Sequence, residues 1–215
     1  MSISLLFILI IALIAAAIPY VARSFCWNRF IKHVNKKQYD LALQDTEGKL
    51  FTLLFGEVSC HWNQLKIYLE CKDDKQICQK TNELLNAKLS QKQRYQLTNS
   101  IYFYFLDTEN QEMAKKVKDQ LDTCCKDEEK IYNDILYRVF IEKKADDIET
   151  CKELLAQSPN HSKEQGLLEY LLGLQYQYNK DKKNSLLYFE KAKNDLKGTP
   201  YHNKIKNQLA SRKGE

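Results

Sequence analysis

Residues 166–195 decide the fold, and they read GLLEYLLGLQYQYNKDKKNSLLYFEKAKND. Apolar side chains recur at steps of three or four over residues 167–178 and again over residues 185–192, which is typical of helices with one apolar face. The stretch between them is short and polar, and the small residue Ser185 follows it. A small side chain at that place lets the second helix approach the first closely. The stretch therefore predicts two helices joined by a tight turn.

The same arrangement recurs along the chain with a regular period. Each recurrence has a polar turn followed by a small residue, and these small residues are Ala42, Cys78, Ala114, Cys151 and Ser185, separated by 36, 36, 37 and 34 residues. Apolar-periodic stretches precede the last four turns, at residues 62–69, 97–105, 131–141 and 167–178, and in the first unit the amino-terminal segment takes that place. After Ala42, the next apolar residue predicted for the same helix face is Leu50. The period predicts about five hairpins, each a helix A and a helix B, with a capping helix around residues 202–209.

The final hairpin resembles a tetratricopeptide repeat. The residues that carry the resemblance, at that family's spacing, are Leu172, Gly173, Tyr176, Ser185, Phe189 and Ala192. The family's leading tryptophan is replaced by Glu169, with Tyr170 next to it, and Lys197 stands at the place of its late proline. The resemblance is clear over residues 166–195, whereas the three earliest units share only the period and the small residue. The alternative interpretation is a generic stack of helical hairpins.

The resemblance implies a concave surface, built from the A helices, that holds a peptide. In the final repeat it places Tyr170, Leu174, Gln177 and Tyr178 on or beside that surface, and these four residues are the predicted binding residues. Family members that clamp a peptide's terminal carboxylate use lysine and asparagine at these places, and this repeat has neither. The aromatic row at residues 102–105 extends the groove in one interpretation, and belongs to the core between neighbouring helices in the other.

The amino terminus predicts a membrane anchor. Residues 1–22 carry no ionisable side chain apart from Tyr20, and as a helix they extend about 33 Å, enough to cross a bilayer. Aromatic and basic residues suited to the membrane interface follow, and we assign this role to Tyr20, Arg23, Trp27 and Arg29. Basic residues occur only after the span, which predicts a cytoplasmic carboxyl-terminal part. The alternative is a cleaved signal peptide, which would leave an exported helical domain.

Composition and charge exclude several classes of protein. The 215 residues contain only 3 prolines and 6 glycines, which argues against turn-rich β-sandwiches, and a net charge of +5 is too mild for a nucleic-acid partner. The spacing of the 7 cysteines fits no paired zinc motif, and phosphate-binding glycine motifs are absent, so the sequence predicts no metal and no cofactor. Cys60 beside His61, or Cys124 beside Cys125, leaves open the alternative of a small thiol redox enzyme.

These observations predict an all-α protein: a transmembrane helix at residues 1–22, a juxtamembrane segment at 23–37 that continues into the first helix, and an α-solenoid of about five hairpins with a capping helix at 38–215. The predicted function is a non-enzymatic, membrane-anchored scaffold that binds a protein or peptide partner.

Overall fold

The computed structural model describes the backbone of residues 3–211 and the side chains of residues 16–210. Throughout this described part the regular secondary structure is α-helical, with twelve helices packed against each other and no strand. The helices are α1 (Ile3–Asn35), α2 (Tyr39–Glu47), α3 (Lys49–Phe55), α4 (Glu57–Cys71), α5 (Asp74–Asn86), α6 (Gln91–Asp107), α7 (Gln111–Leu121), α8 (Asp127–Phe140), α9 (Ile148–Gln157), α10 (Lys163–Tyr178), α11 (Lys182–Asp195) and α12 (Pro200–Ser211). This architecture confirms the all-α prediction and is compatible with a helical repeat.

The chain divides into two compact units. The first comprises Met1–Ser90 and contains α1 to α5, and the second comprises Gln91–Glu215 and contains α6 to α12. Consecutive helices in each unit pack as pairs, most closely α4 with α5, α6 with α7 and α10 with α11.

The predicted transmembrane helix is wrong. Among the residues that the structure describes, no helix combines the length and the apolar character needed to cross a bilayer. The helix α1 is continuous as far as Asn35, and its last part enters the core of the first unit through Cys26 and Phe30. Residues 1 and 2 of the predicted span, and the side chains of residues 1–15, lie outside the described residues. The cytoplasmic placement of the rest of the chain was inferred from that span, and it stays a prediction.

A residue with a left-handed backbone follows every A helix. It lies one to three positions after the end of the helix and has φ between 53° and 61°. These residues are Lys37, Lys72, Glu109, Lys143 and Lys180. In four of the turns the next residue donates its backbone N–H to the carbonyl five residues earlier, as Asp181 does to Tyr176 at 2.8 Å. This bond belongs to the Schellman motif, which satisfies carbonyls left unpaired at a helix end. The repeating turn is therefore a property of both units.

The first unit contains a helix that the periodicity did not predict. Gly48 ends α2, and α3 follows before the second A helix begins. Because of this break, Leu50 does not share a helix face with Ala42, and it is exposed. Phe51 takes the buried place and packs with Phe30, at 5.7 Å between ring centroids.

The second unit places its small residues as the period predicts. Ala114, Cys151 and Ser185 are fully buried, as is Ala42 in the first unit. Cys78 is an exception, since it is only half-buried while its neighbour Ile77 is fully buried. The helices pack closely at these positions because nothing larger than a small side chain separates them.

The last hairpin, α10 and α11, is the tightest of these pairs. A Cβ atom on Gly173 would lie 2.5 Å from the ring of Phe189, so only glycine allows this approach. The Ser185 hydroxyl donates to the Gly173 carbonyl at 2.9 Å. The residues that carry the repeat resemblance thus join the two helices.

Candidate functional site

The second unit contains a cleft lined by the three A helices α6, α8 and α10 and by the capping helix α12. Its volume is about 440 Å³. The lining residues are Leu106, Asp107, Glu109, Phe140, Lys143, Tyr170, Leu174, Gln177, Tyr178, Lys204, Asn207 and Gln208. Because α6, α8 and α10 are successive A helices, the cleft lies on the surface where a helical repeat presents its inner face.

All four predicted binding residues line this cleft, but they differ in exposure. Tyr170 and Leu174 are buried, whereas Gln177 and Tyr178 are half-buried. Leu174, Gln177 and Tyr178 follow Tyr170 by four, seven and eight positions, so the four residues lie on one side of α10. Tyr170 and Leu174 therefore form the floor of the cleft, and Gln177 and Tyr178 are its more accessible side chains.

The floor is aromatic. The Tyr170 ring lies 5.3 Å from Tyr201, 5.8 Å from Phe189 and 6.2 Å from Phe140, measured between centroids. Burial raises the pKa of Tyr170 above its ordinary value, and it raises the pKa of Tyr178 to about 12. Both phenols stay neutral at physiological pH, so this side of the cleft presents rings and hydroxyl groups rather than charge. The Tyr178 hydroxyl donates to the Val139 carbonyl at 3.0 Å, which fixes the ring against α8.

Two ion pairs stand at the rim. Lys143 Nζ lies 2.7 Å from Glu109, and Lys204 Nζ lies 3.1 Å from Asp107. Asp107 also accepts a hydrogen bond from the Tyr201 hydroxyl at 3.0 Å, across 94 positions of sequence. Since each lysine has an acidic partner, the rim has little net charge.

The sequence prediction missed these rim residues. It also missed Asn207. The cleft therefore does contain lysine and asparagine, but they come from α12 and from the turn after α8 and not from α10. A signal for two of them existed, because Glu109 and Lys143 occupy the same left-handed position in successive turns. Nothing in the periodicity indicated that α12 would contribute to the cleft.

Gln177 has an unused hydrogen-bond acceptor. Its side-chain oxygen is buried and has no hydrogen-bond partner in the described part of the chain. A buried polar atom without a partner costs about 1–3 kcal/mol, and the great majority of such atoms are bonded. Because Gln177 lines the cleft, a ligand that donates a hydrogen bond there would remove this cost.

The aromatic row at residues 102–105 splits between the two interpretations. Tyr102 and Phe105 are fully buried, and the Tyr102 hydroxyl donates to the Asn133 carbonyl at 2.9 Å. Phe103 and Tyr104 are half-buried. None of the four lines the cleft described above.

The residues assigned to the membrane interface make contacts inside the first unit. The Arg23 guanidinium lies 5.0 Å from the Phe55 ring centroid, and Trp27 lies 5.4 Å from Phe30 and 5.7 Å from Phe55. Arg29 pairs with the buried Asp45 at 2.6 Å, and Tyr20 is exposed. Arg23 and Trp27 thus contact α3, and Arg29 contacts α2. The assignment of these residues to a membrane interface stays a prediction.

The cysteines show no arrangement that activates a thiol. Cys60 Sγ bonds to Thr52 at 3.7 Å, while the neighbouring His61 faces Glu83 at 3.5 Å, so the two side chains have separate partners. Burial raises the pKa of Cys124 and Cys125, which disfavours the reactive thiolate. All seven cysteines are free. Within the described residues no group of three His, Cys, Asp or Glu side chains is placed to hold a metal ion.

Comparisons with models of protein families, with curated proteins and with solved structures find no match.

Proposed function

We propose that this protein is a non-enzymatic scaffold whose second unit binds a peptide segment of a partner protein in the cleft formed by α6, α8, α10 and α12. The observation that carries the proposal is that Gln177 lines a cleft of about 440 Å³ and has a buried side-chain oxygen that finds no hydrogen-bond partner among the described residues. A peptide backbone is rich in N–H donors and suits such an acceptor. An apolar side chain of the peptide would contact Tyr170 and Leu174 on the floor.

The repeat is proposed to be of the tetratricopeptide type. The close approach of Gly173 and Phe189 and the bond from Ser185 to Gly173 support this assignment, because residues that define the family's pattern make these contacts. The recurring left-handed turn supports it for the other units. The paired lysines at the rim favour an internal stretch of peptide over a free terminal carboxylate, since a carboxylate would have to displace Glu109 or Asp107.

The test is a selection of random 12-residue peptides on the full chain, followed by measurement of affinity for variants. We expect Gln177→Ala to weaken a selected peptide about fivefold, because one hydrogen bond worth about 1 kcal/mol is lost. Gln157→Ala removes an exposed glutamine from α9, away from the cleft, and serves as the matched control. Tyr170 is less suitable for this purpose, since its three ring contacts make it part of the core.

Two outcomes would contradict the proposal. One is that no peptide is enriched on the full chain. The other is that every enriched peptide binds Gln177→Ala as tightly as the unchanged protein, while circular dichroism shows both to be equally folded.

A further inference from the structure

The first unit contains a groove between α1 and α4. The groove consists of two adjoining lobes, with volumes of about 480 and 390 Å³. Trp27 and Asn63 line both lobes and so connect them. The groove-lining residues of α1 are Tyr20, Arg23, Ser24, Trp27, Phe30, Ile31 and Val34. Those of α4 are Ser59, Asn63, Lys66, Ile67, Leu69 and Glu70. In α1 these positions recur at steps of three or four, so one continuous stripe of the helix faces the groove.

The dimensions of the groove fit a helix. Tyr20 and Val34 are 14 positions apart, which is about 21 Å along a helix axis. Both walls are helices whose backbone groups already bond internally, so an extended peptide would find no strand edge to pair with. An amphipathic helix satisfies its own backbone and buries its apolar face, which is how helices bind in grooves.

The polar groups of the groove are engaged within their own helices. Asn63 Nδ2 donates to the Ser59 carbonyl at 2.9 Å. The Ser24 hydroxyl lies 3.4 Å from Asn28 Nδ2. What remains for a ligand is the accessible part of the apolar lining, at Trp27, Ile31 and Val34, and the charged side chains.

The charges decide which kind of helix fits. Arg23 contacts the Phe55 ring, and neither Arg23 nor Lys66 has an acidic partner within ion-pair distance in the described part of the chain. Glu70 is the acidic residue of this lining, at the end of the groove away from Arg23. A second copy of α1 would bring further positive charge, because residues 1–39 contain no Asp or Glu.

From these observations we infer that the groove between α1 and α4 binds an acidic amphipathic helix of a partner protein. Its apolar face packs on Trp27, Ile31 and Val34, and carboxylates on its flanks pair with Arg23 and Lys66. This inference concerns the first unit and does not depend on the cleft of the second.

The experiment uses two synthetic helical peptides of 16 residues and the full chain. Both peptides carry Leu on one face, and their flanking positions are all Glu in one peptide and all Lys in the other. The chain has two tryptophans, so Trp62→Phe leaves Trp27 as the only one, and its emission reports on the groove. We expect the Glu peptide to shift Trp27 emission to shorter wavelength and to bind at least tenfold more tightly than the Lys peptide at 50 mM salt.

Charge reversal provides the matched control. Arg23→Glu with Lys66→Glu is expected to reverse the preference between the peptides. Lys49→Glu with Lys75→Glu makes the same change of net charge at exposed residues outside the groove, and it is expected to change either affinity by less than threefold. The inference is overturned if neither peptide binds up to 1 mM, if both bind equally, or if the two double variants behave alike. It is also overturned if the chain dimerises through this groove, seen as a doubled mass in light scattering that is lost in Trp27→Ala and is not reduced by the Glu peptide.

Discussion

The two units use the same turn between paired helices and yet build different cores. Left-handed residues end the A helices in both, at Lys37 and Lys72 in the first unit and at Lys180 in the second. The second unit holds its last pair together through the contact of Gly173 with Phe189. The first unit instead packs the inserted helix α3 against α1, through an aromatic cluster that includes Phe51.

Both units also bury an acidic residue beside a basic one. In the first unit Asp45 pairs with Arg29 at 2.6 Å and with His33 at 2.8 Å. In the second, Arg138 donates two hydrogen bonds to Asp147, at 2.8 and 2.6 Å. In both units the turn sets the order of the helices. The residues between the helices set how closely the helices approach each other and which surface stays open.

The largest effect expected from this difference in packing is a change in the free energy of unfolding when a glycine is replaced by alanine. Gly173→Ala should lower the free energy of unfolding by about 3 kcal/mol, because the new Cβ would lie 2.5 Å from the Phe189 ring. In the first unit, Gly48→Ala should change it by less than about 0.5 kcal/mol, since its Cβ would lie 3.4 Å from the nearest atom. Urea unfolding of the full chain measures both.

A companion variant separates overpacking from other causes. Phe189→Leu, added to Gly173→Ala, should recover part of the loss because it makes room for the new methyl group. Amide exchange should show the destabilisation in α10 and α11. Equal losses at Gly48 and Gly173 would remove the proposed difference in packing between the units.

A smaller effect on stability is expected when one glutamate in each unit is replaced by glutamine, and its sign is opposite in the two units. Burial, and then the negative charge of Asp195, raise the pKa of Glu169 in the second unit, and its Oε2 has no hydrogen-bond partner among the residues that the structure describes. In the first unit, burial raises the pKa of Glu83, but hydrogen bonds from Lys80 and Gln79 outweigh it and leave the pKa lowered. The ionised form is thus disfavoured by folding at Glu169 and favoured at Glu83.

The pH dependence follows from these directions. The folded protein holds the Glu169 proton more tightly than the unfolded chain, so stability is lost as the pH rises above the ordinary pKa of 4.5. Glu169→Gln should therefore stabilise the protein by about 1 kcal/mol at pH 7 and by little at pH 4. Glu83→Gln should destabilise it by about 0.3 kcal/mol at pH 7, a difference that disappears as the pH falls through the lowered pKa. Thermal unfolding at several pH values measures both, and the same sign for the two variants at pH 7 would refute this prediction.

A further small effect tests the turn that the two units share. Lys72→Gly in the first unit and Lys180→Gly in the second should each stabilise the protein by about 0.5 kcal/mol, since glycine adopts the left-handed backbone without strain. Lys66→Gly lies in the middle of α4 and should destabilise it by about 1 kcal/mol, which controls for the general effect of glycine. If glycine stabilises one turn and destabilises the other, the turns are not equivalent.

The sequence predicted the helices better than their assembly. The stretches at 62–69, 97–105, 131–141 and 167–178 lie within α4, α6, α8 and α10, apart from the last residue of the third. The inserted α3 was missed because seven residues are too few to show a helical period. The transmembrane interpretation relied on the length of the apolar run and on the aromatic and basic residues that follow it. These local features did not indicate which residues of α1 would pack in the core of the first unit.

The lining of the cleft was partly predictable for the same reason. Tyr170, Leu174, Gln177 and Tyr178 share one face of a single helix, and such a face follows from a local period of 3.6 residues. Glu109 and Lys143 join them in the cleft from the turns after α6 and α8, and Lys204 joins them from α12. Their arrival depends on how the helices stack, which periodicity does not describe.

The sequence by itself determined that this protein is built of paired helices with small residues at regular intervals, because helix periodicity and the size of a side chain are local properties. Only the tertiary structure decided which side chains meet. Tyr201 reaches Asp107 across 94 positions, and the buried Gln177 oxygen has no hydrogen-bond partner in the part of the chain that the structure describes, because packing brings distant segments together without pairing every polar group.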